Sequence, residues 1–335
     1  MLDHLIVTGG LGFIGSAFVR RALRAGSTVT NLDALTYAAD RRRVPSDQSA
    51  FETHAIDIRD HRIHGILARA GARALVHFAA ETHVTRSELD EARFFDTNVE
   101  GTRNVLEATR AAGIELVIHV STDEVYGPAL DHPFAEDEKE PGEGRATSAY
   151  ARSKAVADDL ATDLGASMHV IVVRPTNCYG PWQHPEKAIP RWATRALSAR
   201  PLPVWGDGGY VRDWMHVDDA CSAIELLLDQ APPSGVYNIG PGGEAVSNLE
   251  IAHLIADAAG APRDAVYLTA YDRPDHDRRY AVDSSRLRAL GWEPRVDMRA
   301  GLRDTVAWYS DHRSWWEPIA STAESLYDDA AERAR

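Results

Sequence analysis

The stretch LIVTGGLGFIGSAFVRRAL, residues 5–23, constrains the fold more than any other part of the chain. A short apolar run stops at Thr8, glycines follow at positions 9, 12 and 15, and an amphipathic segment begins at once. Glycine tolerates left-handed turns and close backbone approach, so this order reads as strand, tight turn and helix, the opening βα unit of a parallel sheet. The spacing G-x-x-G-x-x-G is a variant of the dinucleotide fingerprint. In it Gly9, Gly12 and Gly15 would let a pyrophosphate reach the N-terminus of the helix.

The rest of the first half repeats that alternation. HLIVT, TVTNLD, ALVHFAA, LVIHVS and HVIVVR read as buried parallel strands, and Phe13 to Ala25, Arg93 to Ala112 and Ala149 to Leu164 as helices between them. The expected class is α/β, a Rossmann-like doubly wound parallel sheet over residues 1–174. After Arg174 the chain is punctuated by Pro and Gly, so 175–335 is expected to form a smaller loop-rich lobe, with the chain crossing between the two.

Charge and cysteine content narrow the function classes. A net charge of −14 argues against a nonspecific nucleic-acid or anionic-membrane binder, because such partners are gripped by clustered Lys and Arg. The two cysteines, Cys178 and Cys221, offer neither a disulfide framework nor metal-ligand spacing, so no metal is expected and a cytoplasmic location is the simplest. The start of the chain, running from Met1 directly into HLIVTGG, has no basic leader or long apolar span.

The second strand ends at Asp33, about 18 residues beyond Gly15, where a carboxylate accepts from ribose hydroxyls and repels a 2′-phosphate. That favours NAD over NADP. Arg41, Arg42 and Arg43 are the opposing signal, and their polar surroundings place them toward solvent. Asp57 and Ile58, after the third strand, suit the adenine edge. Tyr150 and Lys154 form Y-x-x-x-K on one face of a helix, where an ammonium and an oxidised nicotinamide would favour a phenolate able to take a hydroxyl proton.

With these motifs the chain resembles the extended short-chain dehydrogenase/reductase family, and within it the dTDP-glucose 4,6-dehydratase family. TGGLGFIGS, LDALTYA, HFAAETHVTRS, STDEVYG, YARSK, YGPWQHPEKAIP, VWGDGGYVRDWMHVDD, NLE and DRPDHDRRYA occur in the family's order over nearly the whole chain. The resemblance implies a lyase that oxidises C4 of dTDP-glucose with NAD, eliminates water across C5 and C6, and returns hydride to C6. Simple reductases and epimerases of this scaffold need only a hydroxyl, a tyrosine and a lysine, whereas elimination needs one more base and one more acid. In STDEVYG, Glu124 suits the base and Asp123 the acid, and Thr122 would hydrogen-bond O4 beside Tyr150. Adjacent strand residues face opposite ways, so both carboxylates reach one sugar only if the chain leaves strand geometry near Gly127.

Carried over position by position, the resemblance places NAD along Phe13 and Ile14, along Asp33, Ala34, Leu35 and Thr36, and beside Asp57 and Ile58. It adds Ala79, Ala80, Glu81, Thr97, Cys178, Tyr150 and Lys154. The nucleotide sugar would meet His83, Thr122, Asn177, the run Lys187, Ala188, Ile189 and Pro190, then Pro203, Trp205, Arg212, Asn248, Arg273 and His276. Lys187, Arg212 and Arg273 give three cations for two phosphates. Five positions depart from the family pattern: Thr82 replaces a common serine, Thr85 an aspartate, Cys178 an asparagine near the nicotinamide, Trp205 the base-stacking tyrosine, and Asp275 a glycine. The resemblance also implies a homodimer through the helices around Arg93 to Ala112 and Ala149 to Leu164, with antibiotic-sugar biosynthesis as one setting. Other nucleotide-sugar dehydratases, 4-epimerases or decarboxylases of the same family, and a noncatalytic NAD-sensing regulator, stay open at this point.

Overall fold

The computed structural model describes residues 2–333 apart from 46–48, 141, 166, 244–245 and 272–276, with side chains described as far as residue 325. Six strands, β1 (His4–Thr8), β2 (Thr28–Asp33), β3 (Phe51–Ala55), β4 (Ala74–His77), β5 (Leu116–Val120) and β6 (His169–Pro175), join a seventh at Gly235–Ile239 in one sheet. The order is Gly235–Ile239, β6, β5, β4, β1, β2, β3, and every pairing is parallel. Because β1 has β2 on one side and β4 on the other, the connections diverge at its carboxyl end and leave a crevice there, the usual ligand site of such sheets.

The strands are apolar throughout because both sheet faces are covered. On one face Ala17, Phe18 and Val19 of helix α1 (Phe13–Arg24) pack with Ala220, Ile224 and Leu227 of the Val217–Gln230 helix. On the other, Ile63 and Leu67, Val105 and Leu106, and Ala161 close a second core. The helix over Val217–Gln230 and the strand after it therefore return to the first core from beyond residue 174. The helices Ala188–Leu197, Asn248–Ala259, Met298–Asp311 and Arg313–Arg333 enclose a third core around Trp192, Ile251, Leu302, Tyr309 and Trp316. No helix of the described residues is long and apolar enough to cross a membrane.

One helix expectation needs correction. The segment read as a single helix from Arg93 to Ala112 is Glu91–Phe95, a π-helical turn at Asp96–Gly101, and Thr102–Ala111. The wider turn carries Asn98, whose Oδ1 accepts from the Glu81 N–H at 2.8 Å and whose Nδ2 donates to Ser153 Oγ at 2.9 Å. A buried amide thus ties the segment after β4 to the helix bearing Tyr150 and Lys154, and π turns commonly occur at functional sites.

Candidate active site

The glycine turn is built by steric exclusion. Gly9 has φ +70°, and a Cβ there would lie 2.8 Å from the Ala79 backbone, while one on Gly15 would run into the Gly9 carbonyl. Gly12 caps α1 without a side chain, and the first turn of the helix holds no acidic residue. The N–H groups at this end are therefore left to an anion, and Phe13, Ile14 and Gly15 line the adjoining cavity. A turn that only glycine can make this tight, opening onto an uncapped helix N-terminus, fits the pyrophosphate of a dinucleotide.

At the end of β2, Asp33 accepts from the Leu11 N–H at 3.0 Å and the Leu35 N–H at 2.9 Å. Burial raises its pKa, opposed by those two bonds and by Arg43 and Arg41. Arg43 contradicts the expectation of a solvent-facing arginine run. It is buried, donates Nη1 to the Leu11 carbonyl at 2.8 Å, packs 5.6 Å from the Trp315 ring and lines the cavity. Arg41 and Arg42 are exposed, the latter paired with Asp40. Trp315 secures this corner by donating to Asp40 at 2.7 Å.

The two carboxylates leave strand geometry, as expected from the sequence. After β5, Thr122 becomes the N-cap of a 3₁₀ turn over Asp123–Tyr126, and Gly127 at φ +77° ends it. Thr122 Oγ1 accepts from the Glu124 N–H at 3.3 Å and donates to Asp123 Oδ1 at 3.2 Å. Asp123 is 2% exposed and Glu124 8%, so this is not a solvated acidic turn. Burial, then the charges of Glu124 and Asp213, raise Asp123 well above the usual carboxylate range. Asp213 is itself lifted to about 6 by burial, with Arg279 opposing.

Tyr150 lies in the Ala149–Leu164 helix, which Ser148 caps through the Ala151 N–H at 3.1 Å. Burial and the Glu124 carboxylate push its phenol up, with a hydrogen bond to Thr122 opposing them. Lys154 donates Nζ to the Val120 carbonyl at 2.9 Å, and burial lowers its pKa to about 8 against the opposing charge of Asp158. One turn further on, Asp158 receives Arg174 Nε at 2.8 Å, and Arg174 reaches the Tyr126 hydroxyl at 2.7 Å. This buried network braces the floor under the 3₁₀ turn.

A cavity of about 390 Å³ brings most of the expected residues together. From the cofactor set it is lined by Gly9, Phe13, Ile14, Gly15, Ala80 and Cys178, and from the catalytic set by Thr122, Glu124, Tyr150 and Lys154. His83, Asn177, Lys187, Ala188, Pro203, Trp205, Arg212 and Asn248 come from the substrate set. Its wall does not include Gly12, Asp33, Ala34, Leu35, Thr36, Asp57, Ile58, Ala79, Glu81, Thr97, Asp123, Ile189 or Pro190. The reasons differ: Ile58 is spent in the second core, Ile189 in the third, Asp57 pairs with Arg59 and Glu81 with Arg93. Arg273, Asp275 and His276 lie outside the described residues.

Several lining residues were not singled out from the sequence. Thr176 Oγ1, Gln183 Oε1 and Trp214 Nε1 are buried without a hydrogen-bond partner among the described residues, as are Asn177 Oδ1 and Asn248 Oδ1. Orphaned polar atoms are rare in folded proteins, and five on one cavity wall mark a polar ligand's place. Glu186, also buried, accepts from the Tyr37 hydroxyl at 2.9 Å and pairs with Arg86 at 3.2 Å, so the loop after β2 is clasped to the segment carrying Lys187. All these residues except Thr176 and Asn177 lie inside quoted motifs, but only the folded chain shows which way each side chain turns.

Comparison with known proteins agrees with this geometry. The profile of the NAD dependent epimerase/dehydratase family matches residues 5–240. A dTDP-glucose 4,6-dehydratase of Streptomyces griseus is 45% identical, covering 95% of this chain and 98% of its own. One from Streptomyces niveus is 42% identical over 96% and 97%. The crystal structure of DesIV, a dTDP-glucose 4,6-dehydratase from Streptomyces venezuelae with NAD bound, superposes with a TM-score of 0.87 at 43% identity, covering 94% of this chain and 99% of that one. The chain belongs to the NAD dependent epimerase/dehydratase family, on its dTDP-glucose 4,6-dehydratase branch.

Proposed function

We propose that this chain converts dTDP-glucose to dTDP-4-keto-6-deoxyglucose, a carbon–oxygen lyase reaction in which NAD is used and restored within each turnover. The observation that carries the reading is the buried Asp123 and Glu124 pair on one 3₁₀ turn, with Glu124, Thr122, Tyr150 and Lys154 on the same cavity wall. Bound along the glycine turn, NAD supplies the oxidation at C4 and the later reduction at C6. Tyr150 takes the proton of the C4 hydroxyl while Thr122 holds O4, and Lys154 contributes positive charge from the next helical turn. Once C4 is a ketone, the C5 proton is acidic and Glu124 removes it. Asp123, kept protonated by burial and by its acidic neighbours, donates to the departing C6 hydroxyl so that it leaves as water. Glu124 then returns a proton to C5 as C6 is reduced.

In this reading the site residues carried over from the family hold the roles given them, Lys187 and Arg212 facing the diphosphate and Trp205 the base. The lobe after residue 175 supplies most of the sugar-nucleotide contacts. The enzyme works in the cytoplasm as a homodimer and serves deoxysugar biosynthesis of the kind antibiotic producers use. A panel of nucleotide sugars with products identified by NMR tests the reading. dTDP-glucose should give the 4-keto-6-deoxy product. Inversion at C4, loss of carbon dioxide from a uronic acid, or no turnover of any sugar would contradict it.

A further inference from the structure

Gln183 is a buried residue of the cavity wall to which the reaction above assigns no task. One end of its amide is committed. Nε2 donates to the Cys178 carbonyl at 2.9 Å, and because that oxygen can only accept, the amide nitrogen must face it and Oε1 must turn the other way. The backbone is held too, since the Tyr309 hydroxyl donates to the Gln183 carbonyl. Oε1 is then an acceptor with no partner among the described residues, on a side chain that is 7% exposed. Buried acceptors in native proteins are nearly always satisfied, so a fixed and unsatisfied one on a cavity wall calls for a donor from the ligand. Its place in the cavity is at the reacting end, because Cys178 follows the end of β6 as Thr122 and Glu124 follow the end of the neighbouring β5, and all three line the cavity.

We propose that Gln183 is a ligand-contacting specificity residue, its Oε1 accepting a hydrogen bond from an N–H or O–H donor at the reacting end of the bound pair. Two groups there have that chemistry: the carboxamide NH₂ of the nicotinamide and a hydroxyl of the hexose. The proposal rests on the NAD and nucleotide-sugar reading of the site. It explains why the amide is anchored from behind: the Cys178 carbonyl fixes which of its two ends faces the ligand, and an acceptor held in advance discriminates against a ligand lacking the donor.

The test compares the wild type with Gln183→Leu, which keeps the bulk and removes the amide. On NAD-loaded enzyme, dTDP-glucose and dTDP are titrated by calorimetry, and in the cofactor arm NAD and ADP-ribose compete for the dinucleotide site. A bond to the hexose weakens dTDP-glucose about ten-fold and leaves dTDP unchanged, and a bond to the carboxamide weakens NAD about ten-fold and leaves ADP-ribose unchanged. Either pattern supports the proposal. No loss for any probe, or equal loss for all four, overturns it. Should the variant not fold, the wild type is titrated with a dinucleotide carrying acetyl in place of carboxamide and with monodeoxy dTDP-glucoses. Weaker binding of the acetyl analogue or of one deoxy sugar then supports the proposal, and undiminished binding of every analogue overturns it. A wild type that binds neither NAD nor dTDP-glucose defeats the ligand reading itself, and this proposal with it.

Discussion

Burial pushes Asp123 and Lys154 toward their neutral forms, and the reaction uses the two effects in opposite ways. Asp123 is raised well above the usual carboxylate range, the direction that the proposed acid needs. Lys154, lowered to about 8, carries its charge below that pH and loses it as pH rises through it. The rate of C4 oxidation should therefore fall on an alkaline limb near pH 8. Lys154→Met should lose that limb along with most of the rate, as pH profiles of single-turnover absorbance will read. Glu124→Gln and Asp123→Asn should still bind substrate and oxidise C4, yet form the deoxy product about 10²–10⁴-fold more slowly. These residues could be singled out because elimination demands a base and an acid beyond Tyr150 and Lys154, and the fold brings Glu124, Tyr150 and Lys154 to one cavity wall. Arg43 was not readable. Its burial depends on the Leu11 carbonyl and on Trp315, which comes from the far end of the chain, and no local pattern announces such a contact.

At the scale of elements, the 3₁₀ turn after β5 is what buries two adjacent carboxylates, with Glu124 on the cavity wall. Gly127 ends it at φ +77°, where an added Cβ would lie 2.5 Å from the Arg145 carbonyl oxygen. Gly127→Ala should cost about 1–3 kcal/mol in chemical denaturation and slow elimination more than dTDP binding. Beneath the turn, Asp158→Asn leaves Arg174 without its buried partner and should destabilise the fold by about 3–5 kcal/mol. Strands β1, β2, β4, β5 and β6 were legible as apolar runs because both sheet faces are covered. The Gly235–Ile239 strand, with sequence GVYNI, was not, since its place is fixed by pairing with β6 rather than by a pattern of its own. The helix broken at Asp96–Gly101 escaped notice for a related reason, as its π turn serves a bond between Asn98 and Ser153 from another helix.

For the whole molecule, the sheet supplies the glycine turn and the residues proposed for acid–base work, and Tyr37, Arg86 and Glu186 clasp the loop after β2 to the segment carrying Lys187. A cofactor restored in each turnover and enclosed in this way should copurify, and mass spectrometry of the material released on denaturation should find NAD rather than NADP. The general architecture could be read from the alternation of strands and helices. The way the chain doubles back to complete the sheet, and the polar atoms waiting on the cavity wall, belong to tertiary contacts that spacing does not encode. The central claim is that one site oxidises C4, eliminates across C5 and C6, and reduces C6 with what it removed from C4. dTDP-glucose deuterated at C4, turned over by the purified enzyme and examined by NMR, tests it most directly. The label is expected at C6 of the 4-keto-6-deoxy product, and when unlabelled substrate is turned over in heavy water, deuterium is expected at C5. A product whose C6 carries no deuterium, or label recovered still at C4, would contradict it.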